Sequence, residues 1–218
     1  MSKLKNNERW TDRARKNVND IIENIKNLPF IQGMMNGTLQ LESFGKYIGQ
    51  DIFYCEENSK ILLILSERLK NISEEYRETF ETFSKNYLGT VNELQKYVKK
   101  FNLKEEKEKS AICQKYINFE KENVENNTIE EGIVSLLACY WVYDEIGRYM
   151  YVNQIKGENI YKFWMNDYSG EPSKNLAKFL KICNEIEEKN PEIGEIMIKT
   201  YRYAVQCEYD FWDDAFKI

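Results

Sequence analysis

The sequence predicts an all-α protein, and three observations carry that expectation. Helix breakers are scarce: 218 residues hold three prolines and ten glycines. Apolar residues return at helical spacing, as in Leu176, Phe179, Leu180, Cys183 and Ile186, which line one face of a helix. No run alternates apolar and polar residues for long enough to make a half-buried strand. Hydrophobic residues make up 42% of the chain, so one sizeable core and a single domain over residues 1–218 are expected.

The elements follow from start and stop signals. Ile22, Ile25 and Leu28 mark the apolar face of a first helix, which Pro29 should end, because proline disfavours a helical residue before it. Gly33 and Gly37 should bracket a short turn. A long helix is expected from about Glu42 to Lys70, and Ser73 is placed to cap the next. Thr128-Ile-Glu-Glu131 reads as a capping box, in which Thr128 bonds a first-turn N–H and Glu131 reaches back. It opens a helix that runs through Cys139. Gly170-Glu-Pro172 marks another break, with Pro172 suited to a first helical turn. Asn190-Pro191 repeats the signal for a last helix that reaches the C-terminus. There is no internal repeat, low-complexity tract or linker.

Composition narrows the chemistry. The chain has no histidine, which argues against heme on a histidine ligand and against di-iron sites built on Glu-x-x-His. The five cysteines (Cys55, Cys113, Cys139, Cys183, Cys207) form no C-x-x-C pair, so a zinc site is not expected, and no cofactor is expected at all. Reduced thiols fit a cytoplasmic protein. A net charge of −5 gives no electrostatic reason to expect nucleic acid or an anionic membrane. The start, Met1-Ser-Lys-Leu-Lys-Asn-Asn-Glu, lacks the apolar region of a signal peptide, and the longest apolar run, Ile61 to Leu65, is too short to span a bilayer.

Three segments could carry chemistry. Cys139 sits in Ser135-Leu-Leu-Ala-Cys139-Tyr140-Trp141-Val-Tyr143-Asp144-Glu145-Ile-Gly147, and it shares a helix face with Tyr143. A thiol among aromatics is either a core residue, the commoner case, or a nucleophile beside a flat substrate. As a nucleophile it must pass its proton to a carboxylate, a tyrosine or the substrate, because no imidazole exists. Asp51 and Tyr54 share another face, in an apolar stretch where an acid is costly unless paired or hydrogen-bonded. Packing between helices would explain that pair equally well. Glu208, Phe211 and Trp212 share a face near the C-terminus. An acid beside large aromatics can hold a raised pKa and trade protons near neutrality, while a solvated acidic face is the plainer reading.

Taken together these segments resemble the TenA / thiaminase II family. The resemblance runs from about Leu28 to Phe216. It rests on Phe30-Ile-Gln-Gly33, Gln50-Asp51-x-x-Tyr54, Leu136-Leu-Ala-Cys139-Tyr-Trp-Val-Tyr143-x-Glu145-Ile-Gly147, Trp164-x-x-x-Tyr168 and Glu208-x-x-Phe211-Trp212, in that order. It implies a heme-oxygenase-like helical bundle, a homotetramer, and hydrolysis of a thiamine-related aminopyrimidine. It implies Cys139 as the nucleophile that adds to the pyrimidine ring. Asp51 would bond the aminopyrimidine edge and Tyr54 the cysteine. Tyr143 would bind substrate, Tyr116 and Tyr168 would stack on or edge the ring, and Glu208 would move protons to and from the leaving group. Two substrates are implied: 4-amino-5-aminomethyl-2-methylpyrimidine and thiamine. The family's usual proline before the cysteine is replaced by Ala138, and the approach to Tyr116 lacks a proline as well. A non-catalytic pyrimidine or thiamine binder would use the same acids and aromatics without needing the thiol, and a helical interaction module would need no cavity at all.

Overall fold

The computed structural model describes residues 8–171 and 173–217. Among them there is no strand. Ten α-helices follow in order: α1 (Trp10–Asn17), α2 (Asn19–Lys26), α3 (Pro29–Asn36), α4 (Leu41–Leu69), α5 (Glu74–Phe101), α6 (Ala111–Asn126), α7 (Ile129–Asn153), α8 (Lys162–Asn166), α9 (Lys174–Lys189) and α10 (Gly194–Phe216). Among the described residues, no helix is long and apolar enough to cross a membrane.

The N-terminal region differs from its expected form. Instead of one helix ending at Pro29 there are two, broken at Val18, where φ is −104° and ψ is 8°. Asn17 and Asn19 flank the break, and asparagine competes with the helix for its own backbone hydrogen bonds. Pro29 does hold Leu28 extended at ψ 139°, but it then serves as the first residue of α3. Gly33 consequently lies inside α3, and Gly37 alone makes the turn, capping α3 at φ +70°.

The remaining elements follow the sequence closely. Helix α4 begins and ends within a residue of the expected limits. Ser73 Oγ accepts from Tyr76 N at 3.3 Å and opens α5. Ser84 Oγ donates to Ser59 O and Ser66 Oγ donates to Arg77 O, so α4 and α5 lie antiparallel along their length. Both halves of the capping box at Thr128 and Glu131 form, each at 3.2 Å. Pro172 lies outside the described residues; Ser173 caps α9 by accepting from Asn175 N. Asn190 and Pro191 lead into a single 3₁₀ turn, Pro191–Ile193, before α10.

Helix α7 is the centre of the bundle, packed on α6, α9 and α10. Residues 132–138 are buried without interruption, as a helix surrounded by others requires. Ala138 lets α7 run through Cys139 with its backbone hydrogen bonds intact, where a proline would remove one and bend the helix. Glu145 takes no part in the interior. It accepts both guanidinium N–H groups of Arg15, at 2.6 and 2.5 Å, and ties α1 to α7.

Candidate active site

A cavity of about 660 Å³ opens between α4, α5, α7 and the segment that follows α8. Cys139, Asp51, Tyr143 and Tyr168 line it, together with Tyr47 and Tyr87. Four residues drawn from three separate sequence segments therefore meet at one wall. Of the five cysteines, Cys139 alone retains exposure, and the other four are buried.

The aromatic walls are locked by packing. Tyr143 lies 4.9 Å from Trp212 between ring centres, and Tyr168 lies 4.9 Å from Trp164. Tyr47 donates its hydroxyl to that of Tyr143 at 3.3 Å. Gly147 makes room for Tyr168: a Cβ at Gly147 would meet the tyrosine ring at 2.3 Å, so the final glycine of the Cys139 run is a spatial requirement of the pocket.

Tyr54, Tyr116 and Glu208 do not line the cavity. They form a buried polar layer behind it. Glu208, 2% exposed, accepts the Tyr116 hydroxyl at 2.8 Å. The rings of Tyr54 and Tyr116 pack at 4.9 Å. Tyr54 donates its hydroxyl to Glu120 Oε1 at 2.7 Å, so its proton faces a carboxyl and not the Cys139 sulfur. Glu120 is fully buried, and its second oxygen accepts from Asn58 Nδ2 at 2.8 Å. The resemblance implies a Glu208 that reaches the substrate; here it is buried, against the solvated face that its own segment suggested, and it stands behind the cavity wall.

The electrostatics follow from burial. Asp51 is 7% exposed, and the loss of water raises its carboxyl to about 7, against the pull of the Cys55 thiol, which donates to it at 3.8 Å. Glu208 is raised to about 8, by burial first and by the Asp51 charge as well, with the Tyr116 hydrogen bond opposing. Burial also pushes Glu120 well above the usual carboxylate range, offset in part by Asn58 and Tyr54. The Cys139 thiol is driven up by burial and then by the Glu208 charge, while the Tyr87 hydroxyl favours the thiolate. The resting thiol is therefore neutral, with acids tuned near neutrality beside it.

Glu120, Asn58, Tyr47 and Tyr87 were not foreseen. A signal for Glu120 exists: Cys113, Tyr116, Ile117, Glu120 and Val124 share the buried stripe of α6, and one of the five is an acid. No comparable signal marks Tyr87, one of fifteen tyrosines, on an ordinary amphipathic helix.

Comparison with known proteins bears on this geometry. Residues 15–217 match the family described as TENA/THI-4/PQQC. The thiamine biosynthesis multifunctional protein ThiED of Corynebacterium efficiens is 28% identical over 202 residues, which cover 90% of this chain and 27% of that protein. The chain thus spans little more than a quarter of that relative. An aminopyrimidine aminohydrolase of Bacillus subtilis is 24% identical over 198 residues, covering 87% of this chain and 82% of that one. Among solved structures, the TenA homologue from P. horikoshii OT3 superimposes with a TM-score of 0.84 at 23% identity, covering 96% of this chain and 99% of that one. A domain with a heme oxygenase-like fold from Shewanella denitrificans superimposes at 0.72 with 12% identity, over 95% and 92% of the two chains. These likenesses show an all-α, heme-oxygenase-like fold.

Proposed function

The chain belongs to the TENA/THI-4/PQQC family, and we propose that it is a cysteine-type hydrolase of thiamine-related aminopyrimidines. Its substrates are 4-amino-5-aminomethyl-2-methylpyrimidine, converted to the hydroxymethyl pyrimidine and ammonia, and thiamine, cleaved to the same pyrimidine and a thiazole. The observation that carries this reading is the placement of Cys139. It is the one cysteine with exposure, it lies on a cavity wall with Asp51, whose carboxyl is raised to about 7, and the Glu208 carboxyl, raised to about 8, stands in the buried layer behind that wall.

The proposed reaction uses only these groups. The Cys139 sulfur attacks the ring carbon beside the one that bears the CH₂ arm, and its proton passes to the Asp51 carboxylate on the same cavity wall. Asp51 hands that proton on to the ring nitrogen, which takes the displaced electron pair. Aromaticity is now broken, so the lone pair of the 4-amino nitrogen can expel the amine from the CH₂ arm. Glu208 protonates the departing amine, and an exocyclic methylene remains. Water adds to that methylene and yields its proton to Glu208. The sulfur then leaves, and Asp51 carries the ring proton back to it. One water is consumed, one ammonia leaves, and both acids return to their starting states. Tyr143 and Tyr168 bind the flat ring, and Tyr116 sets the Glu208 carboxyl by its hydrogen bond. Tyr54 acts through Glu120. No cofactor enters the scheme, and the working form is a homotetramer in the cytoplasm.

The test is incubation with the aminomethyl pyrimidine and with thiamine, following release of the hydroxymethyl pyrimidine by chromatography. Cys139→Ser should abolish turnover and keep binding. Retention of more than about a tenth of the wild-type kcat, roughly 1.4 kcal/mol of barrier, rejects covalent catalysis. If both proteins bind the pyrimidine and neither turns it over, the chain is a binder.

A further inference from the structure

We propose that Tyr87, on α5, is the hydroxyl that holds the Cys139 thiolate, because Tyr54, the tyrosine expected there, gives its proton to Glu120. This deepens the hydrolase reading and rests on Cys139 as its nucleophile.

Tyr87 is 6% exposed, and its hydroxyl has no hydrogen-bond partner among the described residues. A buried polar atom left unpaired costs stability, and nearly all such groups in folded proteins are satisfied. The few that persist call for a reason. Here the reason lies next to it: Tyr87 lines the same cavity as Cys139. Its ring is fixed between Tyr54, at 6.3 Å, and Tyr140, at 5.7 Å, and Tyr140 is the chain neighbour of Cys139. The phenol is therefore held in place by its ring while its hydroxyl stays unused.

Tyr54 is differently placed. Its bond to Glu120 measures 2.7 Å, and Asn58 holds the same carboxyl at 2.8 Å. Turning the Tyr54 hydroxyl toward sulfur would strip a fully buried carboxyl of one of its two donors. The Tyr87 hydroxyl can turn at no such cost.

The missing bond in the resting state fits the role. A neutral thiol is a weak acceptor, whereas a thiolate is a strong one. A donor poised beside the sulfur and otherwise unpaired gains most when negative charge develops there, which is the condition for lowering a barrier. Tyr87 keeps its proton throughout; the thiol proton goes to Asp51. The other titratable groups whose charge interacts with the thiol are Asp51, Tyr54 and Cys55 from α4, Glu120 and Tyr116 from α6, Tyr140 and Tyr143 from α7, Tyr168 after α8 and Glu208 from α10. Each of the three acids opposes the thiolate once it is ionised, so the Tyr87 donor works against them.

Tyr87→Phe removes only the oxygen. Alkylation of Cys139 by iodoacetamide, with the site read by mass spectrometry, is followed between pH 7 and 10 without substrate. Loss of the donor should raise the thiol pKa by about one unit, tenfold in thiolate. A more basic thiolate is also a better nucleophile, so the alkylation rate at each pH should fall about threefold. With either pyrimidine substrate, kcat should fall about tenfold while KM stays near the wild-type value. The melting temperature should hold or rise, since an unpaired hydroxyl has gone. Tyr54→Phe should shift the alkylation profile less. An unchanged profile, a larger shift in Tyr54→Phe, a lower melting temperature, or an effect confined to KM would each overturn the assignment. The alkylation arm needs no turnover, so it decides the Tyr87–Cys139 pairing even if the wild-type protein hydrolyses neither substrate, a result that would overturn the hydrolase reading alone.

Discussion

Glu208→Gln should make the protein more stable and less active at once. Glu208 is 2% exposed, and its carboxyl is raised from an ordinary 4.5 to about 8. In the unfolded chain it ionises near 4.5. Between those two pH values the unfolded state releases a proton that the folded state retains, so folding loses stability as pH rises, by about 1.4 kcal/mol per pH unit. The stability is fully present below about pH 4.5, falls steadily, and stops falling above about pH 8. By pH 7 the loss attributable to Glu208 is on the order of 3 kcal/mol. Glutamine is uncharged at every pH, is nearly isosteric with the protonated acid, and still accepts the Tyr116 hydroxyl. The variant should therefore escape the loss. Urea unfolding of both proteins at pH 5, 6, 7 and 8 reads the difference directly: the gap should be small at pH 5 and widen with pH. In the same variant kcat should collapse, since an amide cannot protonate the leaving amine. A gap that stays flat across this range would refute the buried, raised carboxyl on which the general-acid role depends.

Other outcomes follow from the same geometry. Asp51→Asn should damage both kcat and KM, because an amide cannot give a proton to the ring nitrogen. An Asp51→Asn variant with wild-type kcat would exclude that role. The pH profile of kcat/KM should be bell-shaped, with apparent values belonging to the Asp51 and Glu208 pair near 7 and 8, and Glu208→Gln should remove one limb. Gly147→Ala should displace the Tyr168 ring, which a new Cβ would meet at 2.3 Å. Substrate affinity should drop by tenfold or more, and calorimetry that shows unchanged binding would mean that Tyr168 does not shape the site.

The sequence alone specifies most of the helical architecture, because helix signals are local. The capping box at Thr128, the cap at Ser73, and the limits of α4 needed no knowledge of distant residues. It also marked Cys139, Asp51 and Glu208, since a thiol among aromatics and acids on apolar faces stand out from their neighbours in the chain. Only the tertiary structure decided how these groups divide. Asp51 and Cys139 reach the cavity, whereas Glu208 stands behind it on Tyr116, and the Tyr54 proton goes to Glu120, 66 residues away. Hydrogen-bond partners and pKa values depend on burial and on contacts made across the bundle. Helical spacing fixes which face of its own helix a side chain occupies and leaves open what the other helices bring to meet it. Tyr87 takes its meaning from packing alone, as a buried hydroxyl with no partner among the described residues; Glu120 could be marked as an acid on an apolar stripe, but its two donors are set only when the helices pack.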